Sequence, residues 1–153
     1  MFSISVERTI DKPIAEVFQV LSEHANYSQF KGVDKSSLIK KGKDDVNGLG
    51  AIREIQAGGA TLHEEIIAFE PPYLLGYKII HSKPLPYKHK LGEVRLTEVD
   101  GKTHVHWRSQ GHISIPLLGN WYFDKKIQQG GQRAFGSILK FIDNMPQIPT
   151  KSV

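Results

Sequence analysis

The chain has 153 residues, the size of one ordinary domain with one core. Apolar residues make up 39% and charged residues 24%, and no apolar run approaches the roughly 20 residues of a spanning helix, so composition argues against a disordered or membrane-spanning chain. The net charge of +4 is scattered and too small to imply nucleic acid, and the absence of cysteine removes disulfides, thiolate nucleophiles and Cys-ligated metals.

The start, MFSISVERTI, carries Glu7 and Arg8 in place of a continuous apolar stretch, so no secretory signal, no stable membrane anchor and a cytoplasmic location are expected. Phe2, Ile4 and Val6 alternate with Ser3, Ser5 and Glu7, which predicts a strand over 2–10 with one buried face. Asp11-Lys12-Pro13 offers a cap and an early proline, and Val17, Phe18 and Leu21 recur at helical spacing. A short helix follows, with a second helical turn around Tyr27 to Phe30 before Gly32. Val33 to Lys41 reads as a weak strand whose lysines suit a sheet edge.

From Gly48 onward the chain is a series of strands cut by turn signals, predicted at 50–57, 60–69, 73–82, 87–98 and 103–114. The dense basic stretch from Lys83 to Arg95 falls among them and reads as a solvated face. After Pro116 the period becomes helical, with Phe123, Ile127, Ala134, Ile138, Leu139 and Ile142 on one stripe of a long helix spanning 121–142. Gly130-Gly131 interrupts it, so there either another group approaches the backbone or space is left open. Residues 1–146 are expected to form a single domain and 147–153 a frayed tail.

Turn geometry fixes which residues face each other. A Gly58-Gly59 hairpin sets Ala57 opposite Ala60, Ile55 opposite Leu62, Arg53 opposite Glu64 and Ala51 opposite Ile66. That face is aliphatic apart from Arg53 and Glu64, so it carries one opposed charge pair inward. An Asp100-Gly101 hairpin sets Val105 opposite Leu96, Trp107 opposite Val94 and Ser109 opposite Gly92, again inward. The reverse face pairs Thr97 with His104, Arg95 with His106, Glu93 with Arg108 and His89 with His112, and reads as a polar outer surface.

The order strand, two short helices, antiparallel strands and long helix describes an α+β fold, a curved sheet of six or seven strands wrapped around the C-terminal helix. Pro13-Ile14-Ala15-Glu16-Val17-Phe18-Gln19-Val20-Leu21, Asn26-Tyr27-Ser28-Gln29-Phe30, Gly48-Leu49-Gly50-Ala51-Ile52-Arg53-Glu54, Glu64-Glu65-Ile66, Phe69-Glu70-Pro71-Pro72 and Asp100-Gly101-Lys102-Thr103 with Val105 and Trp107 run in this order over nearly the whole chain. In these segments the sequence resembles the START-related helix-grip superfamily (SRPBCC), in the branch labelled polyketide cyclase/dehydrase and lipid transport. The resemblance implies a deep apolar cavity between sheet and C-terminal helix, used for lipids, polyketides, sterols or hormones. It implies for Glu64 the part of a cavity carboxylate that orients a ligand. Where hormone receptors of the superfamily have a second cavity carboxylate on the last strand, this chain has Ser109.

The expected ligand-binding residues are therefore Arg53 and Glu64 as polar anchor, Ser109 on the last strand, and Tyr77, Trp107 and Phe135 as walls, with Trp121 also approaching from the helix. No catalytic residue, cofactor or metal is assigned. His104-x-His106 has metal-like strand spacing, but Arg95 and Arg108 flank it and no carboxylate is evident beside it. No G-x-S-x-G, phosphate loop or dinucleotide glycine pattern occurs, and the GLG at 48–50 precedes a strand. The expected partner is a small hydrophobic ligand, with neither nucleic acid nor catalysis required. The alternatives are a polyketide cyclase or aromatase moving protons through the same charged pair, and a quinone-chaperone or protein-interaction module.

Overall fold

The computed structural model describes residues 1–146 and 148; the remainder of the expected tail lies outside the described residues. The elements run β1 (Phe2–Ile10), α1 (Ile14–Ser22), a 3-10 turn (His24–Gln29), β2 (Val33–Lys40), β3 (Ile52–Ala57), β4 (Ala60–Glu70), β5 (Leu74–Lys83), β6 (Tyr87–Val99), β7 (Lys102–Ile113), a wide π turn (Gly119–Phe123) and α2 (Asp124–Asn144). The described strands form one antiparallel sheet in the order β1-β7-β6-β5-β4-β3-β2, with β2 at an edge as its lysines predict. The sheet is curved and grips α2, the α+β architecture expected from the sequence. Two local expectations change: Asp11 caps nothing, since Pro13 occupies the cap position, and the second helical turn starts earlier, at His24.

Both hairpin registers hold. Ala57 pairs with Ala60, Ile55 with Leu62 and Arg53 with Glu64. Ile66 donates to the Ala51 carbonyl at 2.8 Å, and across the second hairpin Val105, Trp107 and Ser109 pair with Leu96, Val94 and Gly92. One expected pair is wrong. A bulge at Lys90 sets His89 opposite Gly111, not His112, and the extra residue turns the His89 ring inward.

The other edge strand, β1, is fastened to α2. Its Ser3 and Ser5 amides donate to Gln128 Oε1 and Gln132 Oε1 at 2.9 and 2.8 Å, satisfying edge groups that a sheet neighbour would otherwise claim. Further along, Asp143 accepts from Arg8 Nε at 2.9 Å and from the Asp11 amide at 3.1 Å. Held along that edge, α2 covers β1 and stands off from β3 and β4. Ile138, Leu139 and Ile142 of its C-terminal half are buried in the core with Ile10, Val17, Leu21, Leu96 and Val105, and Ile148 joins the same cluster. Ile127, Ala134 and Phe135 of the N-terminal half are not buried, and that is where space opens.

Candidate functional site

A cavity of about 430 Å³ lies between the sheet and the N-terminal half of α2. Its walls include Phe2, Ile4, Leu62, Ile79, Ile127 and Phe135, and its polar lining is Glu64, Tyr77, Tyr87 and Ser109. The exposed lining residues Gly32, Gly58, Lys126, Gly130 and Ala134 mark its opening, between α2 and the β3–β4 turn.

The paired glycines realise both sequence alternatives, one each. A Cβ on Gly131 would run into Ile4 of β1, whereas a Cβ on Gly130 would meet nothing within 4 Å. Gly131 lets the helix close on β1, and Gly130 keeps the cavity open.

Arg53 and Glu64 meet as the register requires, with Nε donating to Oε2 at 2.6 Å. They differ in depth. Glu64 lines the cavity, while Arg53, 1% exposed, lies behind it. Burial, the largest single influence, would drive the guanidinium toward neutrality, but the Glu64 charge and then Tyr27 and Tyr77 together outweigh it, so the Arg53 pKa rises on balance. The guanidinium carbon sits 4.6 Å from the Tyr27 ring centroid and 5.2 Å from that of Tyr77, an aromatic enclosure for a dry cation.

Two histidines absent from the expected site complete it. His24, fully buried at the start of the 3-10 turn, accepts from Arg53 Nη1 at 3.1 Å through Nδ1 and donates through Nε2 to the Asn47 carbonyl at 2.8 Å. Burial, then the Arg53 charge, push its pKa down to about 3, with the Asn47 hydrogen bond working the other way, so His24 is neutral. His89 Nδ1 accepts the Ile79 amide N–H at 3.1 Å, and its Nε2 lies 2.9 Å from Ser109 Oγ. An amide can only donate, and burial lowers the His89 pKa, with Glu64 raising it and Lys78 lowering it more weakly. The single ring proton is therefore on Nε2, and His89 donates to Ser109.

This polarity decides the chemistry of the floor. With its oxygen accepting from His89, Ser109 has its own proton to give elsewhere. Since His89 turns no lone pair toward it, Ser109 is not an activated nucleophile. Tyr77 repeats the arrangement: Trp107 Nε1 donates to its hydroxyl at 2.9 Å, and the Ser109 hydroxyl interacts with the same phenol oxygen. Burial, then Glu64, raise the Tyr77 pKa, so the phenol proton stays in place at neutral pH. Burial and Glu64 likewise push Tyr87 up to about 12. Glu64 Oε1 has no hydrogen-bond partner among the described residues. The floor thus presents the neighbouring hydroxyls of Ser109 and Tyr77 and one carboxylate acceptor.

Of the walls expected from the sequence, Tyr77 and Phe135 line the cavity, and Trp107 backs it, stacked on Phe135 at 4.1 Å between centroids. Trp121 is 76% exposed on the π turn and takes no part. Gly92 permits this packing, because a Cβ there would meet Tyr77 Cε2 and His89 Cε1 at 2.7 Å. Tyr77 and His89 stack at 5.6 Å across that gap.

On the outer face a carboxylate does stand beside the paired histidines, contrary to expectation. Glu7 Oε1 lies 3.1 Å from His104 Nε2, Thr9 Oγ1 3.2 Å from its Nδ1, and Ser5 Oγ 2.7 Å from His106 Nε2. Among the described residues no group of three or more His, Asp or Glu side chains is arranged to hold a metal ion. Glu93, expected on the surface, is nearly covered by its partners Arg95 and Arg108.

Over residues 1–140 the sequence matches the family described as polyketide cyclase / dehydrase and lipid transport. The chain belongs to that family. Solved structures with the same fold include TTHA0849 from Thermus thermophilus, at 16% identity and a TM-score of 0.74 over 92% of this chain and 94% of that one. A START superfamily protein from Mycobacterium smegmatis has 7% identity and a TM-score of 0.71 over 93% and 99% of the two chains. MLL2253 from Mesorhizobium loti has 20% identity and a TM-score of 0.65 over 95% and 99%. At these identities the likeness is one of fold. No curated protein sequence matches the chain. Among the described residues no helix is long and apolar enough to cross a membrane.

Proposed function

We propose that this chain binds one small, neutral, mainly apolar molecule in the cavity under α2, without transforming it. The observation that carries this reading is the polarity of the floor, where the Ser109–Tyr77 hydroxyl pair offers a proton and Glu64 Oε1 offers lone pairs inside otherwise apolar walls. The matching ligand carries an acceptor oxygen, such as a carbonyl, and a hydroxyl on an apolar skeleton, as lipids, polyketides and reduced quinones do. The volume of about 430 Å³ falls within the roughly 300–1,000 Å³ of small-molecule sites. Glu64 contacts the ligand directly, whereas Arg53 acts through Glu64, and Trp107 through Tyr77 and Phe135.

Against the cyclase reading, the groups that would move protons are committed. Arg53 is enclosed, Ser109 and Tyr77 accept from His89 and Trp107, and His89 and His24 hold their protons against fixed acceptors. An environment-sensitive apolar dye tests the proposal. One dye per chain is expected, with capture weakened by Phe135→Ala and unchanged by joint replacement of His104 and His106 with alanine. Dye capture that responds to the outer histidines and ignores Phe135 would contradict it.

A further inference from the structure

We propose that the segment from Pro116 to Tyr122, with the outer side of α2, is a docking surface for an anionic lipid bilayer. Leu117 is 96% exposed and holds a φ of +66°, a conformation costly for a branched apolar side chain and one that glycine or asparagine would adopt more easily. Trp121 is 76% exposed, Leu118 48% and Tyr122 47%. Four large apolar side chains thus project from six consecutive positions without contributing to the core. Tryptophan and tyrosine are the side chains that settle at the headgroup level of a bilayer.

The charges beside these side chains favour an anionic surface. From Ser114 to Asn144 the basic residues are Lys125, Lys126, Arg133 and Lys140, all exposed. The two acidic residues are paired internally: Asp124, 2% exposed, with the Met1 amino group at 2.8 Å, and Asp143 with Arg8. Lys126, Arg133 and Lys140 recur every seven residues and so lie along one helical stripe. The Lys126 ammonium stands 5.7 Å from the Tyr122 ring centroid, which joins the stripe to the apolar segment. A second copy of this surface would meet like charge. Lys126 also belongs to the cavity lining, so the bilayer would face the opening. Docking requires no occupant in the cavity.

Co-sedimentation of the full chain with phosphatidylcholine vesicles, with and without phosphatidylglycerol, tests the assignment. Binding to the mixed vesicles is expected, with little to neutral ones, and high salt should weaken it. Trp121 emission should shift to the blue, a change lost in Trp121→Phe. Lys125→Ala should weaken partitioning about fivefold, and joint Leu117→Ser and Trp121→Ser by at least tenfold, with the unfolding midpoint unchanged because these side chains support no core. Equal binding to both vesicle types, partitioning insensitive to these substitutions, or self-association abolished by Trp121→Ser would each overturn the proposal.

Discussion

Arg53 Nε and Glu64 Oε2 stand 2.6 Å apart across β3 and β4, with the guanidinium sealed from solvent and the carboxylate at the cavity wall. Glu64 both neutralises a buried cation and faces the ligand space, so its removal separates two effects. Without it, Arg53 keeps a neutral histidine and two aromatic faces, which do not replace a counter-charge. Glu64→Ala should cost about 3–5 kcal/mol in denaturant unfolding. A loss below about 1 kcal/mol would mean that water in the cavity solvates the guanidinium.

His24 makes stability depend on pH with a defined sign. Its folded pKa of about 3 lies below the ordinary 6.5, so the unfolded chain binds the proton first as pH falls. Above about pH 6.5 the residue has no effect on the slope; from there down to about 3 it removes up to about 1.4 kcal/mol per pH unit. His89 acts in the same direction. In His24→Asn, which keeps an acceptor for Arg53, the stability curve should flatten by one proton over that window. Parallel wild-type and variant curves would show that His24 is protonated in the folded chain.

Gly130 and Gly131 should respond oppositely to the same change. Gly130→Ala adds a methyl into open space and gains helix propensity, so it should stabilise by up to about 1 kcal/mol. Gly131→Ala drives a Cβ into Ile4 and should destabilise. Thermal unfolding of the two variants is sufficient. If both stabilise, α2 does not press on β1 as described.

Legibility of the site from sequence follows its covalent simplicity. The Gly58-Gly59 and Asp100-Gly101 turns are short and symmetric, so counting outward from them places Arg53 against Glu64 and Trp107 against Val94 correctly. Counting fails at His89, because the Lys90 bulge inserts one residue and reverses the face, with nothing in the residue types to announce it. His24 is equally hidden. It reaches Arg53 from a 3-10 turn 29 positions away, a contact set by packing and not by any period. The α2 stripe is legible, but periodicity reports which side of a helix is apolar and not whether protein fills the space beneath it. That depends on the fastening of α2 to the β1 edge through Gln128 and Gln132, which pattern alone would assign to solvent.

The most direct measurement of the central claim is native mass spectrometry of the chain purified from its own cells, side by side with Ala134→Trp, which fills the cavity opening from an exposed position on α2. The account predicts one small neutral adduct per wild-type chain, rich in carbon and carrying oxygen, and its absence from the folded variant. An adduct retained equally by both chains, or a wild-type chain that stays bare after incubation with a total lipid and metabolite extract, would contradict it.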